Sequence, residues 1–265
     1  MRRIVAPILA LLAVSCSKDI DQVTLEGDSE KVVLAINSNE TANEPNYQLS
    51  DSAGLDEADL LTSKESELIE YFKYLTLWKG PHVTEVEVNR RWNRSLRLYL
   101  DGSISDSYRS TVEKVIAEYN ALFVESDFTI ALTENIAEAN GHLFFGEKEE
   151  MKPLWADMYD RIADGNYSGY AMTPSRNAVL HSTRIWISNP IASLFKHELG
   201  HALGLGHSNQ CTDEKSIMCS KVGSQSDFSK AETRVLRYLY HRDFSAGLNA
   251  SQIEKRLAEL IISGR

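Results

Sequence analysis

The stretch His197-Glu198-Leu199-Gly200-His201-Ala202-Leu203-Gly204-Leu205-Gly206-His207 decides the reading of this chain. Just before it, Asn189-Pro190 predicts a helix start, because Asn can cap and Pro suits the first helical position. A helix over 191–203 places His197 and His201 at i and i+4, with both imidazoles on one face where they can share a metal. Glu198 sits beside that face, positioned to take a proton from water at the metal. Gly204 comes three residues after the second His; a glycine there can take positive φ, end the helix and turn the chain back. Gly206 loosens the same turn, and His207 arrives as a third imidazole. Three neutral imidazoles leave one position of a tetrahedral ion open, which suits catalytic zinc. Such an ion lowers the pKa of its water toward about 7 and polarises a carbonyl. The chain has seven His, and three fall at these positions with the required Glu and Gly, so chance explains the pattern poorly. His82, His142, His181 and His241 show no ligand spacing and read as ordinary surface or partly buried histidines.

Outward from that stretch the chain alternates strands and helices. Residues 95–100 alternate as a strand that Asp101-Gly102 closes, and 106–122 form an amphipathic helix with Val112, Val115, Ile116, Tyr119 and Leu122 on one stripe. Strands are predicted over 128–132, 169–173 and 183–188, and a helix through Tyr240 opens at 227–232, where Ser229 with Glu232 fits a capping box. This order implies an α/β sheet layered against helices. Upstream, a helix over 63–78 carries Leu68, Ile69, Phe72 and Leu75 at helical spacing; it fits a pro-segment, a docking helix or a packing element of the domain.

The run from His197 to Ser208 resembles a metzincin active site, most closely that of the matrixin branch. Metzincins carry a Met-turn beneath the zinc, and Ser216-Ile217-Met218 lies eleven residues beyond His207, where Met218 would be a soft floor under the imidazoles. The resemblance implies a metzincin-like zincin domain over residues 90–245, of α+β or α/β class. It would contain a twisted, mostly parallel sheet, an antiparallel edge strand for which 169–173 is the candidate, an active-site helix and a C-terminal helix. It also implies zinc as the one catalytic ion, Glu198 as the catalytic base, and an extended peptide or protein substrate lying along the edge strand. Two departures matter. Ser220 stands two residues beyond Met218, so the Tyr ligand of astacins and serralysins is missing. No matrixin-type calcium loop is legible either; Asp160, Asp164 and Asn166 are better explained by a helix end at Gly165, and calcium is left open. Side-chain preference should be set by 217–228, a small and polar stretch that argues for no deep aromatic slot.

The N-terminus reads as export machinery. Met1-Arg2-Arg3 is a basic start, 4–14 is apolar at signal-peptide length, and Ala13-Val14-Ser15-Cys16 resembles a bacterial lipobox with Cys16 lipidated. The plainer alternative is a secretion signal with Cys16 incidental. The residues after Cys16 resemble acidic export tags of Bacteroidetes surface lipoproteins. The segments are therefore a signal peptide at 1–15, an acidic spacer at 16–62, an accessory or pro-segment helix at 63–89, the peptidase-like domain, and a C-terminal helix at 246–265. Residues 17–70 hold fourteen Asp or Glu against three Lys, a net of −11, so nearly all of the −12 left after removal of the two Arg of 1–15 sits in this N-terminal segment. A nucleic-acid partner, which needs a basic face, is excluded. The expected setting is the cell envelope, lipid-anchored to the outer membrane and surface-exposed, or else periplasmic or secreted, with the protein acting as a monomer.

Three cysteines complete the count. With Cys16 lipidated, Cys211 and Cys219 are left flanking the Met-turn in an oxidising compartment, where a disulfide is expected to contribute on the order of 2–3 kcal/mol. The alternatives are two free thiols, or Cys219 turned toward the zinc in an inactive state. For the whole chain, the alternatives to an endopeptidase are a zinc hydrolase or amidase on a non-peptide substrate, and a binding lipoprotein with a structural zinc site.

Overall fold

The computed structural model describes residues 14–15, 60–80, 84–211, 216–223 and 226–264. Cys16, His82, and the expectations placed on 1–13 and 16–59 lie outside the described residues. Among the described residues, no helix is long and apolar enough to cross a membrane.

Five strands form the main sheet: β1 (Leu96–Gly102), β2 (Ile130–Thr133), β3 (Gly141–Phe145), β4 (Gly169–Met172) and β5 (Thr183–Ile187). Their spatial order is β2-β1-β3-β5-β4. The first four in that order run parallel, and β4 closes the edge antiparallel to β5, with Tyr170 opposite Trp186 and Ala171 opposite Ile185. A mostly parallel sheet with an antiparallel edge strand is the expected architecture, and the edge strand is the expected one. Successive residues of a strand face opposite sides, so Leu143 and Ile185 enter the larger core while Phe144 and Trp186 enter a smaller one. A short antiparallel ladder also joins Val14–Ser15 to Lys221–Val222.

Strand β3 was not anticipated, although it lies at the centre of the sheet. Its sequence Gly-His-Leu-Phe-Phe lacks alternation because both of its faces are covered, the usual condition of parallel strands. Of the helices beneath the smaller core, α3 (Lys148–Met151) has no signal in the sequence, whereas α4 (Ala156–Ile162) is the one whose end the sequence places at Gly165. Helix α4 ends three residues before Gly165, whose N–H donates to Ile162 O.

The larger core gathers the remaining helices: α1 (Ser63–Thr76), α2 (Asp106–Asn120), α5 (Ala192–Ala202), α6 (Lys230–Leu239) and α7 (Ala250–Ile262). Capping boxes start three of them, Thr62 with Glu65, Ser229 with Glu232, and Asn249 with Gln252. Each box satisfies amide groups that the first turn leaves open. In α1, Phe72 and Leu75 are completely buried, and each contributes about 1.5–3 kcal/mol by leaving water. The Phe72 ring meets Phe244 edge-on at 5.1 Å. Helix α1 thus shares its core with the sheet and α5.

Candidate metal centre

Helix α5 runs across the inner face of the sheet, against β4, β5 and α2. Its start corrects the sequence reading: the N-cap is Ile191 and not Asn189, and Ile191 makes no side-chain cap bond. Ile191 N–H donates to Asn189 O at 2.7 Å, a tight turn that delays the helix, while the Asn189 amide is spent on Ser188. The helix is otherwise fixed from the side. Lys196 is buried with Nζ 2.6 Å from both Glu118 of α2 and Asp227 before α6. Burial works against its charge, but the bonds to Asp227 and Glu118 outweigh it and raise its pKa.

His197 and His201 project from this helix, and their Nε2 atoms lie 3.0 Å apart. At the helix end Gly204 has φ 101°, and a Cβ there would collide with the carbonyl of Arg90. Only glycine suits this reversal. It brings His207 to the other two rings, with centroids 5.5 Å from His197 and 4.8 Å from His201. One donor atom from each of the three histidines falls within 4.8 Å of the others, and all three residues are buried. Among the described residues this is the sole cluster of three or more His, Cys, Asp or Glu side chains placed for a metal.

The rings are also oriented. His197 Nδ1 faces Ile217 O at 2.6 Å, and His201 Nδ1 faces Leu205 O at 2.8 Å. A carbonyl can only accept, so each Nδ1 carries the proton and each Nε2 offers its lone pair inward. Burial, then the neighbouring His207, pushes His197 down to about 3; burial, then His197 and His207, holds His201 well below its usual range. Neutral imidazoles with fixed tautomers are the donor set that zinc takes.

Met218 lies under the helix. Its sulfur approaches Gly200 so closely that a side chain there would displace it. Ser208 N–H donates to Met218 O at 2.7 Å, tying the loop that carries His207 to this turn. Cys211 and Cys219 are joined as a disulfide with Cα atoms 5.8 Å apart, across the same two segments. Glu198, fully buried, directs its carboxylate toward the start of the edge strand: a Cβ built on Gly169 would stand 2.8 Å from Glu198 Oε1.

One residue of this arrangement was read for only half of its work. Glu232 closes the capping box of α6, accepting from Ser229 N at 2.7 Å. The same buried carboxylate also accepts from Ser216 Oγ at 2.5 Å, Met218 N at 2.9 Å and Ile217 N at 3.3 Å. The capping pattern was visible in the sequence; the long-range bonds to the turn carry no sequence signal. Of the remaining histidines, His142 is partly buried against Asp101, His181 is exposed, and His241 is buried deeper than expected, paired with Glu125 at 2.7 Å.

No family model matches the chain, and no curated protein matches it. Among solved structures, the chain is similar to myroilysin. Identity is 13%, over 58% of this chain and 97% of that one, with a TM-score of 0.37. The side chains themselves supply the chemistry: inward Nε2 donors of His197 and His201, a third imidazole from His207, an adjacent carboxylate, and a sheet edge beside it.

Proposed function

We propose that the protein is a zinc-dependent endopeptidase of the metzincin type, with His197, His201 and His207 as ligands and Glu198 as general base. The observation that carries this is the convergence of three buried imidazoles, two of them held in one tautomer by backbone carbonyls, beside a buried carboxylate that faces the sheet's edge strand. When bound, zinc would act as a Lewis acid, polarising the scissile carbonyl and acidifying water. Glu198 takes the proton of the attacking water and returns it to the leaving amine. Strand β4, at the sheet edge beside Glu198, offers backbone groups along which a peptide can lie extended. His197 and His201 hold their Nε2 atoms in place through the carbonyls of Ile217 and Leu205.

Incubation with a proteome-derived peptide library tests this reading. Cleavage at internal bonds, lost with chelator and restored by zinc, is expected; unchanged peptides in the zinc-loaded sample overturn it. We also propose that Cys16 is lipidated and that the acidic spacer at 16–62 tethers the enzyme to the cell envelope, supported by the apolar start and the small residues before Cys16. Radiolabelled palmitate should enter wild type and not Cys16→Ala; label in the variant refutes the anchor.

A further inference from the structure

An α-helix leaves its last carbonyls without internal partners. At and just past the end of α5 four successive carbonyls have partners, three of them from other elements. Ala202 O accepts from Trp92 Nε1 at 2.8 Å, Leu203 O from the Tyr240 hydroxyl at 2.9 Å, Gly204 O from Trp78 Nε1 at 2.9 Å, and Leu205 O faces His201 Nδ1. The third of these donors comes from the segment just after α1, outside the residues that the sequence assigns to the peptidase domain.

Contacts from α1 and its last turn recur at every second residue of the loop that carries the third histidine. Trp78 bonds Gly204, Leu75 O accepts from Gly206 N at 2.7 Å, and the Tyr71 hydroxyl hydrogen-bonds Ser208 Oγ at 2.8 Å. Between the last two, His207 is presented to His197 and His201. The Trp78 ring is buried and its centroid lies 5.9 Å from that of His201.

The backbone at Trp78 indicates that the indole is there for a reason. It follows the C-cap Leu77 and has φ 55°, the left-handed position that glycine usually fills after a helix. Lys79 N–H donating to Tyr74 O completes the usual helix-ending pattern around it. A tryptophan held there is a strained choice for ending a helix, compensated by what its ring reaches.

We propose that α1 and Trp78 form a permanent clamp on the third metal ligand, a positioning element that stays in the active enzyme and is not a removable pro-segment. The proposal rests on the reading of the three histidines as zinc ligands. Removing 60–80 would release Gly204, Gly206 and Ser208 together, and His207 with them.

The test compares wild type, Trp78→Phe and Tyr71→Phe in the full chain. Trp78→Phe keeps an aromatic ring and deletes one donor. Zinc affinity, measured by competition with a chromogenic chelator, should fall by about 10–100-fold, the range for residues that orient metal ligands. The visible spectrum of the cobalt-loaded variant should shift, and in the metal-free protein the Gly206 amide should exchange faster than in wild type. Should Trp78→Phe not fold, Tyr71→Phe decides, with a smaller loss in the same direction. Mass spectrometry of the active form should find residues 60–80 retained. Wild-type affinity and Gly206 protection in the folded variants, or an active form trimmed past Gly80, overturn the clamp. A wild type that binds zinc but cleaves no peptide, with affinity still weakened by Trp78→Phe, supports the clamp while the peptidase reading fails. A wild type that binds no zinc overturns both.

Discussion

The two ends of helix α5 are built differently. At its amino end the N-cap is an isoleucine with no side-chain bond, and Ser193 Oγ in the first turn is buried with no hydrogen-bond partner among the described residues. At its carboxyl end four successive carbonyls have partners, three of them side chains from distant elements. Ordinary stability would be served by capping both ends, since a good N-cap is worth about 1 kcal/mol. Ordered groups were concentrated instead at the end that delivers the third imidazole. The loop of His207 has no helix of its own to hold it, whereas His197, six residues after the uncapped start, is held by Ile217 O and by the ion pairs of its neighbour Lys196.

The comparison breaks most visibly in catalysis. Glu198→Ala should fold, keep about one zinc per chain and lose roughly 10²–10⁴ in peptide turnover, because it removes a proton carrier and no ligand. His207→Ala lies just beyond the rigid end; zinc and activity should fall together. Metal analysis beside a quenched-peptide assay separates the patterns. Full zinc in His207→Ala would mean that the rigid end does not serve a metal. Near-normal turnover in Glu198→Ala would remove the proposed base.

Next in size is the floor of the site. Glu232→Ala strips Ser216 Oγ, Met218 N and Ile217 N of one shared acceptor, each buried donor costing about 1–3 kcal/mol when left unsatisfied. A large fall in the denaturation midpoint is expected, with partial recovery in Glu232→Gln, which keeps a carbonyl oxygen. Equal midpoints for wild type and Glu232→Ala would show that the turn supports itself.

These contrasts also explain which parts of the molecule could be read from the chain alone. Local rules were legible: the i, i+4 spacing of His197 and His201, the glycine that must reverse the helix at Gly204, and the Ser229–Glu232 box; the strand over 169–173, made the edge by the resemblance, ends one residue earlier than expected. What escaped was non-local or lacked a period. Strand β3 is covered on both faces and shows no alternation; Asn189 and Pro190 have the chemistry of a helix start but yield to the turn that Ile191 makes with Asn189 O. Trp78 and Glu232 act across 126 and 14–16 residues respectively, through bonds that no spacing announces. Motifs name ligands; the groups that aim them are scattered.

A smaller effect probes the rigid end without touching a ligand. Tyr240→Phe removes only the hydroxyl that donates to Leu203 O, leaving a buried carbonyl one partner short. The expected cost is about 1–3 kcal/mol by chemical denaturation. A neutral result would mean that this end of α5 is over-determined by its neighbours.

The smallest effect belongs to the other end. Ile191→Ser supplies the missing cap, since a serine there can accept from the amides of the first turn, a gain of about 1 kcal/mol. It also deletes a side chain that is partly buried against the core, and at about 25 cal/mol per Å² the loss is of similar size. The two should nearly cancel, leaving stability within about 1 kcal/mol of wild type and zinc affinity unchanged. Both quantities come from the assays already described, denaturation and chelator competition. If Ile191→Ser weakens zinc binding as much as Trp78→Phe does, the ends of α5 are coupled through the helix, and the division between an uncapped start and a fixed finish is wrong.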